Sequence, residues 1–200
     1  MGRSPVQLAA ASNRCQGALG SDRTISRARS LAALGLCAAL SAAPAHAGHT
    51  LGREQQEVLS AWLTASLDYR GASEADCDCA EDIQRMRAGS GGKWGAVPDY
   101  HPYRATADFN SDGEEDFAVV VVDRSKLGSN FALIVFNGPL REPSASPAFM
   151  RSGLDLKRQG LFCGPPRPKP YRLVIGPFES HGALLRPHGR TYKLAWGQDD

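Results

Sequence analysis

The amino-acid sequence predicts an α+β domain in which N-terminal helices pack on a mostly antiparallel β-sheet. Three observations lead to this fold class. Residues 54–68 carry apolar side chains at helical spacing, the runs AVVVV and FALIVF are apolar throughout, and short strand-like segments separated by Gly, Pro, Asn or Ser fill the C-terminal half. A helical front followed by a β-rich remainder indicates layers of helix and sheet.

The first 47 residues have the composition of an export signal. A basic region that ends in RTISRARS precedes the apolar run LAALGLCAALSAA, which is short for a membrane span, and Ala45 and Ala47 supply the small residues of a cleavage site before Gly48. An uncleaved anchor is one alternative, and a lipoprotein signal at Cys37 is a weaker one. We predict a signal peptide over 1–47, a single exported domain over 48–200 with no membrane span after cleavage, and a periplasmic or secreted location.

The charge balance excludes one class of partner. Five of the 23 basic residues and only one of the 21 acidic residues precede residue 48. The predicted signal therefore carries 5 minus 1, or +4, and the remainder carries 18 minus 20, or −2, of the formal net charge of +2. A nucleic-acid-binding domain needs a clustered basic surface. We therefore expect no nucleic-acid partner.

Two helices are predicted before the strands. In EQQEVLSAWLTASLD the apolar face is formed by Val58, Leu59, Trp62, Leu63 and Leu67, with Ser66 between them. A second, more polar helix is expected over 76–88, where Ser73 and Asp76 are spaced like an N-terminal cap and its reciprocal partner.

Six strands are predicted, over residues 103–109, 116–123, 130–137, 171–175, 183–186 and 191–196. Two of them contain the continuously apolar runs, which is typical of central strands covered on both faces. The last strand alternates, with Tyr192, Leu194 and Trp196 on one face and Thr191 and Lys193 on the other.

Three cysteines remain after the predicted cleavage. In an oxidising compartment a disulfide between Cys163 and either Cys77 or Cys79 is expected. Cys77 and Cys79 are a poor pair for each other if their segment is helical, because positions two apart point to different sides of a helix. A metal or redox role for the C-x-C pair is the less favoured alternative, since structural zinc sites normally use four ligands.

The stretch DFNSDGEED, residues 108–116, carries the clearest chemical signal. Calcium prefers six to eight oxygen ligands, which a short loop supplies from alternate residues when a glycine permits a sharp turn. With Asp108 at loop position 1, the required positions 3, 5, 6, 7 and 9 are occupied by Asn110, Asp112, Gly113, Glu114 and Asp116. Glu114 is expected to contribute its backbone carbonyl and the other four ligands their side-chain oxygens. Val119 replaces the bidentate Glu of an EF-hand, and the flanks are strand-like, so an EF-hand is excluded.

The pattern D-x-N-x-D-G-x-x-D followed by an apolar strand resembles the calcium loops of FG-GAP and VCBS-type repeats, which occur in integrin α-subunit propellers and in many exported bacterial proteins. The resemblance covers ADFNSDGEEDFAVVVV, about sixteen residues. It implies a local geometry of strand, calcium loop and strand, with Ca²⁺ bound at the loop positions named above.

Two functional classes follow from the sequence. The first is an exported module with a structural Ca²⁺ site that binds a protein or a glycan of the cell envelope. The second is a small hydrolase with a site near His101 or His181. Ser180 and Glu179 adjoin His181, but adjacent residues rarely face each other, so the sequence defines no catalytic triad.

Overall fold

A computed structural model describes residues 48–90, 95–128, 130–141, 146–163, 173–178 and 180–196. The predicted signal peptide lies outside these residues. Neither helix in the described ranges combines the length and the apolar character that a bilayer span requires.

Helix α1 spans Arg53–Ala65 and confirms the first predicted helix. Its N-terminus is closed by Gln55, whose side-chain Oε1 accepts the N–H of Gly52 at 2.8 Å. The helix ends earlier than predicted: Ser66 donates its N–H to the carbonyl of Leu63, and Leu67 lies beyond the helix with 78% of its surface exposed. Leu67 therefore does not belong to the apolar face.

The second predicted helix is divided into two elements. A 3₁₀ turn spans Glu74–Asp76, and helix α2 spans Ala80–Ala88. The Asp76 carboxylate accepts hydrogen bonds from the N–H and the hydroxyl of Ser73, so the predicted cap caps the short turn rather than a longer helix. Helix α2 ends at Gly89, which adopts the left-handed conformation that favours glycine.

The cysteine pairing differs from the prediction. Cys77 forms a disulfide with Cys79, with Cα atoms 5.1 Å apart, and Cys163 is a buried free thiol. The expected bridge to Cys163 is wrong because its premise is wrong: Cys77 and Cys79 lie in the non-helical segment between the 3₁₀ turn and α2, where Cys77 is extended. An extended segment permits two cysteines two positions apart to approach, whereas a helix does not.

The first sheet contains five antiparallel strands: β1 Tyr69–Gly71, β2 Arg104–Ala107, β3 Asp116–Asp123, β4 Phe131–Phe136 and β5 Phe149–Leu154. Strands β1 and β2 pair with opposite ends of β3 along the same edge, and β4 and β5 follow on the other side.

The second sheet contains four antiparallel strands in sequence order: β6 Gln159–Cys163, β7 Leu173–Pro177, β8 Ala183–His188 and β9 Thr191–Ala195. All six predicted strands are represented among the described residues with ends that differ from the prediction, and residues 171–172 of the fourth lie outside the described ranges. In β9 Tyr192 is buried and Lys193 is exposed, as expected, but Trp196 lies past the strand and is 56% exposed.

The central strands β3 and β4 are buried along their whole length, which confirms the prediction from their composition. On one face Val119 and Ile134 belong to an apolar cluster that includes Val58 of α1. On the other face Val120 and Leu133 belong to a larger cluster. That second cluster also contains residues of the second sheet and of α2: Leu161, Ile175, Leu185, Tyr192, Ile83 and Met86.

Candidate calcium site

The loop 108–115 connects β2 to β3 in a hairpin. Ala107 pairs with Asp116 across the two strands, so the loop begins and ends at one point of the sheet edge. Asp108 and Asp116 are buried at this base, whereas Asp112 and Glu114 are exposed at the tip. The loop is therefore held at its base by a central strand of the core.

The backbone of the loop changes direction at two residues. Gly113 has φ +92° and Ser111 has φ +64°, both in the left-handed region. Sequence analysis anticipated the turn at Gly113 but not the one at Ser111, because serine seldom adopts this conformation.

Backbone N–H groups of the loop donate hydrogen bonds to side chains of the same loop. Oδ1 of Asp108 and Oδ1 of Asn110 both accept the N–H of Asp112, at 3.1 and 2.9 Å. Oδ2 of Asp108 accepts the N–H of Gly113, and Oδ1 of Asp112 accepts the N–H of Glu114. Because Asp108 and Asn110 share one donor, their oxygens at positions 1 and 3 lie close together.

Asp116 is a fully buried carboxylate with partners from three segments. Oδ2 accepts the N–H of Phe109 at 2.8 Å and the hydroxyl of Tyr192 at 3.1 Å, while Oδ1 accepts the N–H of Gly138 at 3.0 Å. Burial raises the pKa of Asp116 to about 6, and the nearby charge of Asp112 adds to the rise while the three hydrogen bonds oppose it. A buried carboxylate is costly unless donors or a cation stabilise it.

Tyr192 and Asn137 were not anticipated as part of this region. The hydroxyl of Tyr192 lies 2.7 Å from Oδ1 of Asn137 as well as near Asp116, from which it is 76 residues distant in sequence. The pKa of Tyr192 is raised by burial first and then by the charges of Asp116, Asp112 and Asp108. The alternation of β9 predicted that Tyr192 points inward, but no local pattern could identify a partner in the other sheet.

The loop residues carry oxygen donors, which hard cations prefer. In the described ranges no group of three or more His, Cys, Asp or Glu side chains is arranged to hold a metal ion. Asp108 and Asp112 each accept two hydrogen bonds from described residues and Asp116 accepts three. Since a carboxylate offers about four lone-pair positions, each of the three retains acceptor capacity. Together with the amide oxygen of Asn110 and the carbonyl of Glu114, these are the oxygen ligands that calcium prefers.

A surface cavity of about 420 Å³ adjoins the loop. It is lined by residues 52–55 at the start of α1, by Glu114 and Glu115, and by Pro139 and Leu140. The side chain of Gln55 donates a hydrogen bond to Glu115 at 2.8 Å, which links the helix to the loop.

The histidines of the alternative hydrolase precede strands of different sheets. His101 precedes β2, and its Nδ1 accepts the N–H of Tyr103 at 3.3 Å, so that atom is already engaged. Burial first, and then the charge of Arg104, lower the pKa of His101 to about 4. His181 lies on the surface just before β8, and Glu179 beside it falls outside the described residues.

A third histidine was missed by sequence analysis. His49 is buried, its Nδ1 lies 2.6 Å from the carbonyl of Arg104, and its ring packs against Tyr100. It holds the segment before α1 on the first sheet, and burial lowers its pKa. This is a structural role that no sequence motif signals.

No family model, curated protein or solved structure matches this chain.

Proposed function

We propose that residues 48–200 form an exported calcium-binding module whose loop 108–116 holds a structural Ca²⁺ ion. The observation that carries this proposal is the shared donor: the N–H of Asp112 draws the oxygens of Asp108 and Asn110 together. The loop is thus already curled at positions 1, 3 and 5, where two oxygens meet one backbone N–H. Preorganised ligands reduce the ordering cost of binding.

The ligands would be the side-chain oxygens of Asp108, Asn110, Asp112 and Asp116 and the backbone carbonyl of Glu114. When bound, Ca²⁺ would neutralise carboxylates that otherwise repel one another near a buried position. Magnesium is a weaker candidate because it requires stricter octahedral geometry and fewer protein ligands.

The ion would act by stabilising the hairpin at the edge of β3. A ligand that binds only the folded state, supplied at ten times its dissociation constant, adds about 1.4 kcal/mol to the free energy of unfolding. We also infer that α1 forms a covering layer on the first sheet, since Val58 packs with Val119 and Ile134 and Gln55 bonds to Glu115. Calcium would then stabilise a helix-on-sheet arrangement through the loop that α1 contacts.

The module would serve in the periplasm or outside the cell, where millimolar calcium is compatible with a site of modest affinity. Its partner would be a protein or a glycan. The hydrolase alternative has less support, because Nδ1 of His101 is occupied by the N–H of Tyr103.

The proposal is tested by thermal unfolding of residues 48–200 with calcium and with a chelator. Calcium should raise the melting temperature of the unmutated protein, and Asp112→Ala should remove that increment. Asp155→Ala is the matched control, because Asp155 is also an exposed carboxylate that accepts a backbone N–H two residues ahead. A melting temperature of the unmutated protein that is the same with and without chelator would refute the calcium site.

A further inference from the structure

The carboxylate of Asp116 is held by both sheets. Its donors are Phe109 in the loop, Gly138 after β4, and Tyr192 in β9 of the second sheet. Two of the three hydrogen bonds end on Oδ2 and one on Oδ1. With about two lone pairs on each oxygen, the described contacts leave Oδ1 with one free position and Oδ2 with none.

The hydroxyl of Tyr192 has two possible acceptors. It lies 3.1 Å from Oδ2 of Asp116 and 2.7 Å from Oδ1 of Asn137. A phenol carries one hydrogen and donates to one acceptor at a time. Asn137 therefore competes with Asp116 for the hydroxyl hydrogen, and Oδ1 of Asp116 keeps its free position in either case.

We propose that Tyr192 is a positioning residue for the calcium site, so that the second sheet contributes to the affinity of a loop in the first sheet. The hydroxyl would donate to Oδ2 of Asp116 both before and after the ion binds, which fixes the carboxylate and leaves the free position on Oδ1 for Ca²⁺. The inference rests on the proposed calcium-binding function and adds the residue that regulates the ligand at loop position 9. Partners that orient metal ligands in this way typically contribute 10–100-fold to affinity.

A control variant at another tyrosine, Tyr103, distinguishes a merely structural role of Tyr192 from the proposed positioning role. Tyr103 is buried in the same apolar cluster, and its hydroxyl donates to the carbonyl of Leu156 at 2.8 Å. Tyr103→Phe therefore also removes one buried hydrogen bond, but its hydroxyl has no contact with Asp116. In Tyr192→Phe the ring remains to pack against Phe149, so the apolar contacts of the core are kept.

The experiment measures calcium binding by equilibrium dialysis of residues 48–200 and of the two variants, together with their melting temperatures in chelator. We expect both variants to lose similar stability without calcium. Calcium affinity should fall about tenfold or more in Tyr192→Phe and stay unchanged in Tyr103→Phe. Asn137→Ala provides a second variant with less risk to folding, since Asn137 is only half-buried. It should strengthen binding, because the hydroxyl then donates to Asp116 alone.

The outcomes are distinct. Equal affinity in the unmutated protein, Tyr192→Phe and Asn137→Ala would overturn the positioning role and leave the calcium site intact. An equal loss of affinity in Tyr103→Phe would also overturn it, because the effect would then follow stability. If the unmutated protein binds no calcium, the proposed function fails and this inference fails with it.

Discussion

Ala107 lies opposite Asp116 in the β2–β3 ladder, so the loop 108–115 is closed at its base by strand pairing. The strand β3 that follows Asp116 is buried along its length. The loop is thus attached to a buried strand of the first sheet, so changes within the loop should alter the ligand geometry rather than unfold the protein.

Gly113 provides a test of this relationship. It has φ +92°, and a Cβ at this position would meet no atom within 4 Å, so Gly113→Ala carries a conformational cost without a steric one. That cost should be about 1–2 kcal/mol, and calcium should no longer raise the melting temperature. Gly189→Ala is the control: Gly189 has φ +64° and equal space in the β8–β9 turn. It should lower stability similarly while the calcium increment persists; loss of the increment in both variants would contradict the account.

His101 should make stability depend on pH. Its pKa is lowered from 6.5 to about 4, so the folded protein keeps the ring neutral while the unfolded chain takes up a proton as the pH falls through 6.5. Stability that is present above pH 6.5 is therefore lost between pH 6.5 and 4, by on the order of 1–2 kcal/mol since the ring is only partly buried. Protonation also removes the acceptor for the N–H of Tyr103.

The measurement compares urea unfolding of the unmutated protein and His101→Asn at pH 7.5 and 4.5. Asparagine keeps an acceptor for Tyr103 but does not titrate, so the variant should gain stability relative to the unmutated protein at pH 4.5. The comparison with a variant is needed because the raised pKa of Asp116 acts with the opposite sign in the same range. His188→Asn, at an exposed position, should show no such gain. A His101→Asn difference that is the same at both pH values would exclude the effect.

The cysteines should give a defined thiol count. In oxidised residues 48–200 a thiol reagent should modify one cysteine after denaturation, Cys163, because Cys77 and Cys79 are bonded to each other. In the native protein the reaction should be slow, since burial raises the pKa of the Cys163 thiol to about 12 and the thiolate is the reactive form. Three reactive thiols in denaturant would rule out the disulfide.

Reduction of that disulfide should leave the protein folded. A bridge between residues two apart closes a very short loop, and the chain-entropy model gives it on the order of 1–2 kcal/mol, less than a bridge to Cys163 would contribute. We expect the melting temperature to fall by a few degrees on reduction. Complete unfolding by a reductant would show that the bridge has a larger role.

Much of the architecture follows from periodicity. The buried runs of β3 and β4 and the amphipathic face of α1 are strong, continuous signals, and the structure contains these elements. Strands β1, β5 and β6 were missed for physical reasons. β1 has three residues, β5 is largely exposed and contains Gly153 with φ +75°, and β6 is a five-residue edge strand of its sheet. β1 lacks the length, and β5 and β6 lack the alternation, that marks a strand in isolation.

The candidate site likewise has some features that the sequence predicts and others that it does not. The ligand spacing around Gly113 is local, and sequence alone could define it. The contacts of Asp116 with Gly138 and Tyr192 depend on how β4 and β9 meet the loop, and the Cys77–Cys79 bond depends on a break between two helical segments. Such features arise from tertiary packing, which no short pattern encodes.

The most direct test of the central claim is equilibrium dialysis of metal-free residues 48–200 against calcium at pH 7.5. One Ca²⁺ ion should bind per chain with a dissociation constant on the order of 0.1–1 mM, magnesium should bind more weakly, and Asp112→Ala should abolish binding. The absence of saturable binding at millimolar calcium would contradict the calcium site.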